Sequence, residues 1–321
     1  LTFGRTHPIL PPMPTRTLDC FYLNQPEFAA AYLLRGGAEA AFVDNNTAQA
    51  VPRLLGALTA EGLEPADVRW IIVTHVHLDH AGGTGALAAA CPNATVLCHP
   101  RAERHLLDPS RLEASARVVY GDETFERLYG VIAPIAASRV RVVGDGERVP
   151  LGSRELEFLH TRGHANHHMC ILDAHRGDVL TGDAFGLCYP TLQRGRRFLF
   201  PSTSPTEFDA PEARAAVRRI VATGADRALL THFGPITDLA AGAEDLLDWI
   251  DASEAVLEAA VVCDLPNGAL EAFCFKRIDA LFDRKLAAAG IQLDTREREL
   301  LRHDRELNAA GLAFVAAKRR G

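Results

Sequence analysis

Three imidazoles and a carboxylate stand close together in the stretch W-I-I-V-T-H-V-H-L-D-H-A-G-G from Trp70 to Gly83: His75, His77, Asp79 and His80. A neutral imidazole offers a nitrogen lone pair and an ionised carboxylate a hard oxygen; zinc or iron accepts both. Histidines on a solvated turn would give the same composition, but the frame argues otherwise. Ile71-Ile72-Val73 is apolar and β-branched, as in a buried strand, and Gly82-Gly83 leads into an alanine-rich segment that reads as a helix. A strand ending in a donor-rich loop, with a helix behind it, aims several side chains at one point.

The same arrangement recurs further on. His164 in T-R-G-H-A-N-H-H, Asp183 after Gly182, and His232 in T-H-F-G each follow a predicted strand. The elements that must carry these residues can be read in order. Residues 1–18, with Pro11-Pro12-Met13-Pro14, read as an extended arm. Short strands are expected at 20–23, 31–34 and 40–43, with Gly36-Gly37 as the turn between the last two. Asp44-Asn45-Asn46-Thr47 ends the third strand and offers an N-cap to a helix at 48–61, whose Val51, Leu54, Leu55 and Leu58 share a face. After the His-rich loop come a helix at 84–90, a strand at 95–98, a helix opening near Pro100 and a helical excursion over 110–134. Strands at 140–143, 149–151 and 156–160 are expected to begin a second sheet, followed by a hairpin of 170–172 with 179–181. Residues 184–208 are irregular, and a loop of that length is usually functional. A helix at 211–222 and a strand at 228–230 precede His232, and 239–320 read as helix with breaks near Pro266 and Gly290.

Composition narrows the class. The 321 residues are 48% hydrophobic and 23% charged, as in an ordinary globular chain with a sizeable core. A formal charge of −7 argues against a dedicated nucleic-acid surface, and no apolar run reaches membrane-spanning length. Leu1 to Asp19 lacks the apolar core of a signal peptide. The seven cysteines include no C-x-x-C pair, which reads as reduced thiols and a cytoplasmic location. Cys188 stands out because it follows Asp183 closely.

Taken together, T-H-V-H-L-D-H (Thr74 to His80), G-H (Gly163-His164), G-D (Gly182-Asp183) and T-H-F-G (Thr231 to Gly234) resemble the metallo-β-lactamase superfamily. The resemblance spans roughly residues 18 to 235. It implies an α/β fold, a four-layer αβ/βα sandwich with metals at one edge, to which this chain adds a C-terminal helical region. The boundaries then fall at 1–18 for the arm, 19–238 for the sandwich and 239–321 for the helices. Carried over by position, His75, His77 and His164 would bind one metal, Asp79, His80 and His232 a second, and Asp183 would bridge them. All these positions are filled, which argues against single-iron members. Leu78 stands where flavodiiron members carry an acidic residue.

The chemistry implied is hydrolysis. Two divalent cations, zinc first with iron or manganese as alternatives, would lower the pKa of a bridging water so that hydroxide attacks a small ester, thioester or lactone. A two-metal phosphodiesterase and an iron-dependent enzyme similar to persulfide dioxygenases remain open as alternatives. Asp79 is a candidate to orient the nucleophile or accept a proton. His168, placed like the second histidine of glyoxalase II-like thioesterases, is a candidate catalytic and substrate-contacting residue. Arg162, standing where the family usually has Pro, and Tyr189 are further candidates for substrate binding. His99, His105, His160 and His167 read as structural or surface residues. The Arg194, Arg196, Arg197 run would favour an anionic substrate if its loop folds over the site. The expected partner is a small molecule, with no nucleic acid and no membrane. The helices after residue 239 are expected to cover the site or to build a homodimer.

Overall fold

The computed structural model describes residues 15–203 and 207–321. Most of the expected arm, and Ser204-Pro205 of the irregular loop, lie outside the described residues. The fold has two six-stranded mixed sheets packed face to face, with helices on both outer sides.

The first sheet is built from β1 (Arg16–Asp19), β2 (Ala30–Gly36) and β3 (Glu39–Val43), followed by α1 (Val51–Ala60) and β4 (Val68–Ile72). The short helices α2 (Leu78–Ala81) and α3 (Thr84–Ala90) lead to β5 (Thr95–Cys98). Then α4 (Glu103–Leu107), α5 (Ser110–Tyr120) and α6 (Asp122–Leu128) precede β6 (Val140–Val142). The order is β1-β2-β3-β4-β5-β6, antiparallel up to β3 and parallel beyond it. The second sheet contains β7 (Arg148–Leu151), β8 (Arg154–His160), β9 (Met169–Asp173) and β10 (Asp178–Gly182). It is completed, after α7 (Ala210–Ala222), by β11 (Arg227–Leu230) and β12 (Gly234–Ile236). Its order is β12-β11-β10-β9-β8-β7, with only β10 and β11 parallel. Three helices follow: α8 (Leu239–Val262), α9 (Leu270–Ala288) and α10 (Thr295–Arg320).

Side-chain alternation explains the layering. On β2 to β4, Tyr32, Leu34, Val43, Trp70 and Ile72 face the second sheet and meet Leu156, Phe158, Ile171, Leu180 and Leu229. Their neighbours Leu33, Phe42 and Ile71 face the other way, onto Leu54 and Leu58 of α1 and Leu87 of α3. Because both faces are covered, these strands are almost continuously apolar. Helices α7, α8 and α10 begin at a side-chain cap, whereas α1 starts without the cap expected from Asp44 to Thr47. Asp209 accepts from the Glu212 N–H ahead of α7, and Asp294 with Glu297 forms a capping box on α10.

Four expectations change. The first strand lies at Arg16–Asp19, inside the segment expected to be an arm; it pairs with β2 because the prolines stop at Pro14. The apolar run at 20–23 is instead a turn, with Phe21, Leu23 and Asn24 at positive φ, that buries Tyr22. Residues 140–142 belong to the first sheet, beside β5, so the chain crosses between sheets at Gly144-Asp145-Gly146. The strand β12, which the loop reading of T-H-F-G did not anticipate, is an edge strand and so tolerates Pro235.

Candidate metal centre

The loop after β4 and the loops after β8, β10 and β11 meet at one edge of the sandwich. There His77 Nδ1 stands 2.9 Å from both His75 Nε2 and His164 Nε2. A second group lies beside it: Asp79 Oδ2 is 3.2 Å from His232 Nε2 and 3.8 Å from His80 Nε2. Asp183 lies between the two groups. Its Oδ2 is 3.4 Å from His164 Nε2, while its Oδ1 is 3.3 Å from His80 Nε2 and 3.8 Å from His232 Nε2. The clusters His75/His77/His164, His75/His80/Asp183 and Asp79/His80/His232 are each compact enough to hold an ion.

The donor set fits divalent cations. Donors bound at ~2.0–2.1 Å to one tetrahedral ion stand about 3.3 Å apart, close to the spacings seen here. The buried atoms His80 Nε2 and Asp183 Oδ1 make no hydrogen bond among the described residues, although they face each other. A buried polar atom left unpaired costs roughly 1–3 kcal/mol, and a cation shared by these lone pairs removes that cost. His77 and Asp79 are the partly exposed members of the site, so it opens on their side.

Hydrogen-bond acceptors behind the rings fix which nitrogen of each points inward. His80 Nδ1 lies 2.8 Å from Asp44 Oδ2, His232 Nδ1 2.8 Å from the Phe28 carbonyl, and His164 Nδ1 3.2 Å from the Ser202 carbonyl. Carboxylate and carbonyl only accept, so these rings carry their proton on Nδ1 and leave Nε2 as a free donor. His75 follows by one more step. The Thr74 hydroxyl donates to Asp44, and therefore accepts from His75 Nδ1 at 3.1 Å. Asp44 also accepts from the Thr74 N–H and the Thr231 hydroxyl, so one buried carboxylate ties both sheets to the site.

Asp44 was missed from sequence, where 44–47 read as a strand end and cap. The available signal was a fully buried polar run on the strand beside β4. Asp44 and Asn46 take positive φ, which Asp and Asn tolerate, and Asn45 and Asn46 hold the His-rich loop through Thr84 and the Asp79 carbonyl.

Electrostatics divides the cluster. Burial, with the neighbouring imidazoles His80, His77 and His164, lowers the His75 pKa well below its usual value; burial, then His164, does the same for His77. Neutral rings are what cation binding requires. Burial opposes charge on His80 and His232, but Asp183 and Asp79 outweigh it and raise both. The same pairings, working against burial, hold the carboxyls of Asp79 and Asp183 below the usual range.

Other candidate residues lie elsewhere. His168 is fully buried, with Nδ1 on the Thr161 hydroxyl at 2.9 Å and Nε2 accepting the Asp183 N–H at 3.2 Å. It was expected to be a catalytic, substrate-contacting residue; here it lies behind Asp183 and holds its backbone. Gly182, at φ +49, lets the chain pass there, since a Cβ would stand 2.6 Å from His168 Nε2 and 2.8 Å from Thr74 Oγ1. The Arg162 guanidinium is engaged by Asn166 and Glu212, and the residue shares the lining of a small cavity with His164 and Asp183. Tyr189 is buried, stacked on Phe28 at 5.1 Å, with its hydroxyl on Asp304 of α10 at 3.2 Å, so it too is closed to substrate.

Burial pushes the Cys188 thiol up to about 11; its N–H, not its sulfur, serves the site, by donating to the His232 carbonyl at 2.6 Å. Arg194 and Arg197 pair with Glu297 and Asp245 and anchor the irregular loop to the C-terminal helices. His99 and His160 pack together at 4.2 Å away from the cluster. His167 stands beside it, its ring 5.7 Å from that of His77, and accepts the Val76 N–H. No helix among the described residues is long and apolar enough to cross a membrane.

Comparisons with known proteins agree with this geometry. The chain is 28% identical over 185 residues to the metallo-beta-lactamase fold-containing protein ST1585 of Sulfurisphaera tokodaii, a match spanning 56% of this chain and 63% of that one. The crystal structure of that archaeal protein superposes with a TM-score of 0.65 at 20% identity, covering 94% of this chain and 99% of that chain, which supports the fold. A hydroxyacylglutathione hydrolase of Anaeromyxobacter dehalogenans is 46% identical over 68 residues, 21% of this chain and 24% of its own. An N-acyl homoserine lactonase from a Bacillus species is 32% identical over 120 residues, 37% of this chain and 38% of its own. The chain thus spans less than two thirds of each of these curated relatives. The model of the metallo-beta-lactamase superfamily matches residues 24–232, more than half of the chain. With that match, and with two mixed sheets carrying their His/Asp donors at one edge, the chain belongs to the metallo-beta-lactamase superfamily.

Proposed function

We propose that the protein is a two-metal hydrolase of small carboxylic esters, thioesters or lactones. The observation that carries the reading is the pair of converging donor groups, His75/His77/His164 and Asp79/His80/His232, with one Asp183 oxygen turned to each. Those residues would hold two divalent cations, zinc by the nitrogen-rich donor set. When bound, such cations supply an activated water near neutral pH and positive charge for a developing oxyanion.

The chain's own residues do the rest. Asp79, a partly exposed carboxylate at the open side, is placed to take a proton from the attacking water and return it to the leaving group. Asp44 and the Phe28 and Ser202 carbonyls hold a proton on Nδ1 of His80, His232 and His164, which leaves Nε2 of each ring directed inward as the atom that would bind a cation. His168 holds the Asp183 backbone from the closed side.

Beside this site a cleft of about 890 Å³ runs between the Tyr22–Phe28 turn, α6 and α10. Its wall includes Tyr22, Leu23, Phe28, Leu128, Leu300 and His303, and the Phe28 ring meets His232 edge-on at 6.0 Å. The wall also carries Arg127, Arg296 and Arg302 beside Glu299 and Glu306; its apolar part suits a small acyl group. The overall negative charge disfavours a polynucleotide. The sequence matches to a hydroxyacylglutathione hydrolase and an N-acyl homoserine lactonase support an acyl substrate.

The test is turnover of thioesters, lactones and aryl esters by zinc-loaded protein, with and without a chelator, beside bis-p-nitrophenyl phosphate and thiol-dependent oxygen uptake. Chelator-sensitive turnover of an acyl substrate is expected, with two metals per chain. Faster turnover of the phosphodiester, or thiol-dependent oxygen uptake in place of hydrolysis, overturns the reading.

A further inference from the structure

The helix α10 lies outside the family match, yet one of its faces is polar where a packed helix is ordinarily apolar. Glu297, Asp304 and Asn308 are all buried, at 3%, 6% and 5% exposure. They fall at helical spacing around the buried Leu301, so they form one stripe. Buried polar side chains are costly unless each has a partner. Apart from the Asp294 N–H that Glu297 caps, the partners of these three side chains belong to one stretch of chain. Glu297 accepts from the Thr191 hydroxyl at 3.0 Å and pairs with Arg194. Asp304 accepts from the Tyr189 hydroxyl. Asn308 accepts through Oδ1 from both the N–H and the hydroxyl of Thr203. The stripe therefore clamps the loop 187–203, which the Leu187–Phe200 bridge closes on itself.

That loop holds the donor cluster from behind. The residue before Thr203 is Ser202, whose carbonyl receives the His164 Nδ1 proton at 3.2 Å. At the loop's other end the Cys188 N–H binds the His232 carbonyl. A carbonyl fixes a tautomer only while its peptide plane is held. The Ser202 carbonyl and the Thr203 N–H belong to one peptide unit, which is planar. The bond from Thr203 N–H to Asn308 Oδ1 thus sets the orientation of the Ser202 carbonyl that faces His164.

We infer that Asn308 is a positioning residue for the metal centre: through the Ser202–Thr203 peptide it keeps His164 Nε2 unprotonated and in place for the ion it shares with His75 and His77. This rests on the proposed reading of His164 as a metal ligand. A helix outside the matched region then determines how tightly the site binds, and the C-terminal region becomes part of the centre.

The experiment uses the full chain and Co²⁺, read by its absorption spectrum and by competition with a chromophoric chelator. Asn308→Ala is expected to weaken binding of one Co²⁺ by about 10-fold or more and to change the spectrum, as loss of an outer-shell partner does. Asn308→Asp keeps the acceptor for Thr203 and is expected to stay within about threefold of wild type. Arg305→Ala, on the same helix but paired with Asp279 and Asp283, is the control; it should leave Co²⁺ affinity unchanged. Should Asn308→Ala fail to fold, Asn308→Leu, which fills a similar volume but withdraws the acceptor from the Thr203 N–H, is expected to weaken Co²⁺ in the same direction, and wild-type affinity there likewise overturns the inference. Wild-type affinity and spectrum in folded Asn308→Ala overturn the inference, as does an equal loss in Arg305→Ala. His164→Ala separates the two claims: if it leaves Co²⁺ binding intact, the ligand reading itself fails. If it abolishes one site while Asn308→Ala does nothing, only the positioning role fails.

Discussion

Replacing Asp44 by Asn keeps the shape of a fully buried side chain but changes what it can accept. The carboxylate takes four protons: the Thr74 N–H at 2.8 Å, the Thr74 hydroxyl at 3.0 Å, His80 Nδ1–H at 2.8 Å and the Thr231 hydroxyl at 2.9 Å. An amide can put its oxygen toward Thr74 N–H only by turning its NH2 toward His80 and Thr231. An NH2 facing His80 Nδ1 needs that nitrogen as an acceptor, which moves the imidazole proton to Nε2, the nitrogen that faces Asp79 and Asp183. The opposite flip sets NH2 against the Thr74 N–H, and two donors then meet.

Either way the site loses charge-assisted bonds worth roughly 1.5–3 kcal/mol each. An outer-shell partner of this kind accounts for about 10–100-fold in metal affinity, or roughly 1.4–2.8 kcal/mol. Asp44→Asn is therefore expected to remain folded, to bind one divalent ion near wild-type strength and to bind the second 10–100-fold more weakly. Metal stoichiometry after dialysis, chelator competition and ¹⁵N chemical shifts of the His80 ring measure the three parts. Two ions retained at wild-type affinity, with the His80 proton still on Nδ1, would show that the carboxylate does not set the tautomer.

Two further substitutions probe the frame around the site. Arg194, opposed by burial and aided by the Asp294 N–H and Thr191, holds the Glu297 carboxyl down to about 2 from 4.5. A depressed carboxyl contributes stability above its unfolded pKa, and that contribution is lost as pH falls toward the folded value. Because Arg194 is half exposed, Glu297→Gln should cost roughly 1–3 kcal/mol at pH 7, with the penalty shrinking between pH 4.5 and about 2. Urea unfolding at neutral and acid pH measures it; a penalty independent of pH refutes the ion pair as its source. Trp249 of α8 packs 4.8 Å from Phe282 of α9 and about 6 Å from Phe198 and Phe200 of the clamped loop. Trp249→Ala should cost ~3–5 kcal/mol in thermal or urea unfolding, and a cost under about 1 kcal/mol would place the joint between loop and helices elsewhere.

The sequence by itself determined the donor chemistry. The types of His75, His77, Asp79, His80, His164, Asp183 and His232, each in a loop after an apolar strand, were legible because residue type and strand–loop context are local. The layering was legible for the same reason, since β2, β3 and β4 are apolar on both faces. Where an element depends on its neighbour in the sheet, local reading fell short. β1 lay four residues before the apolar run that was expected to be a strand, and β6 joined the first sheet because β5 offered it an edge.

The roles of the remaining site residues were decided by tertiary structure. His168 is adjacent in sequence to the donor loop, yet the fold turns it inward to Asp183. Tyr189 is 115 residues from Asp304, and Thr203 is 105 from Asn308; only packing brings each pair together. The groups that fix the imidazole tautomers are also distant along the chain: His80 is matched with Asp44 at a separation of 36 residues, and His232 with Phe28 at 204. A hydrogen bond across that distance leaves no periodicity or motif in the sequence. The chain specifies which atoms can bind a cation; the folded sandwich and α10 decide which of their lone pairs are free to do so.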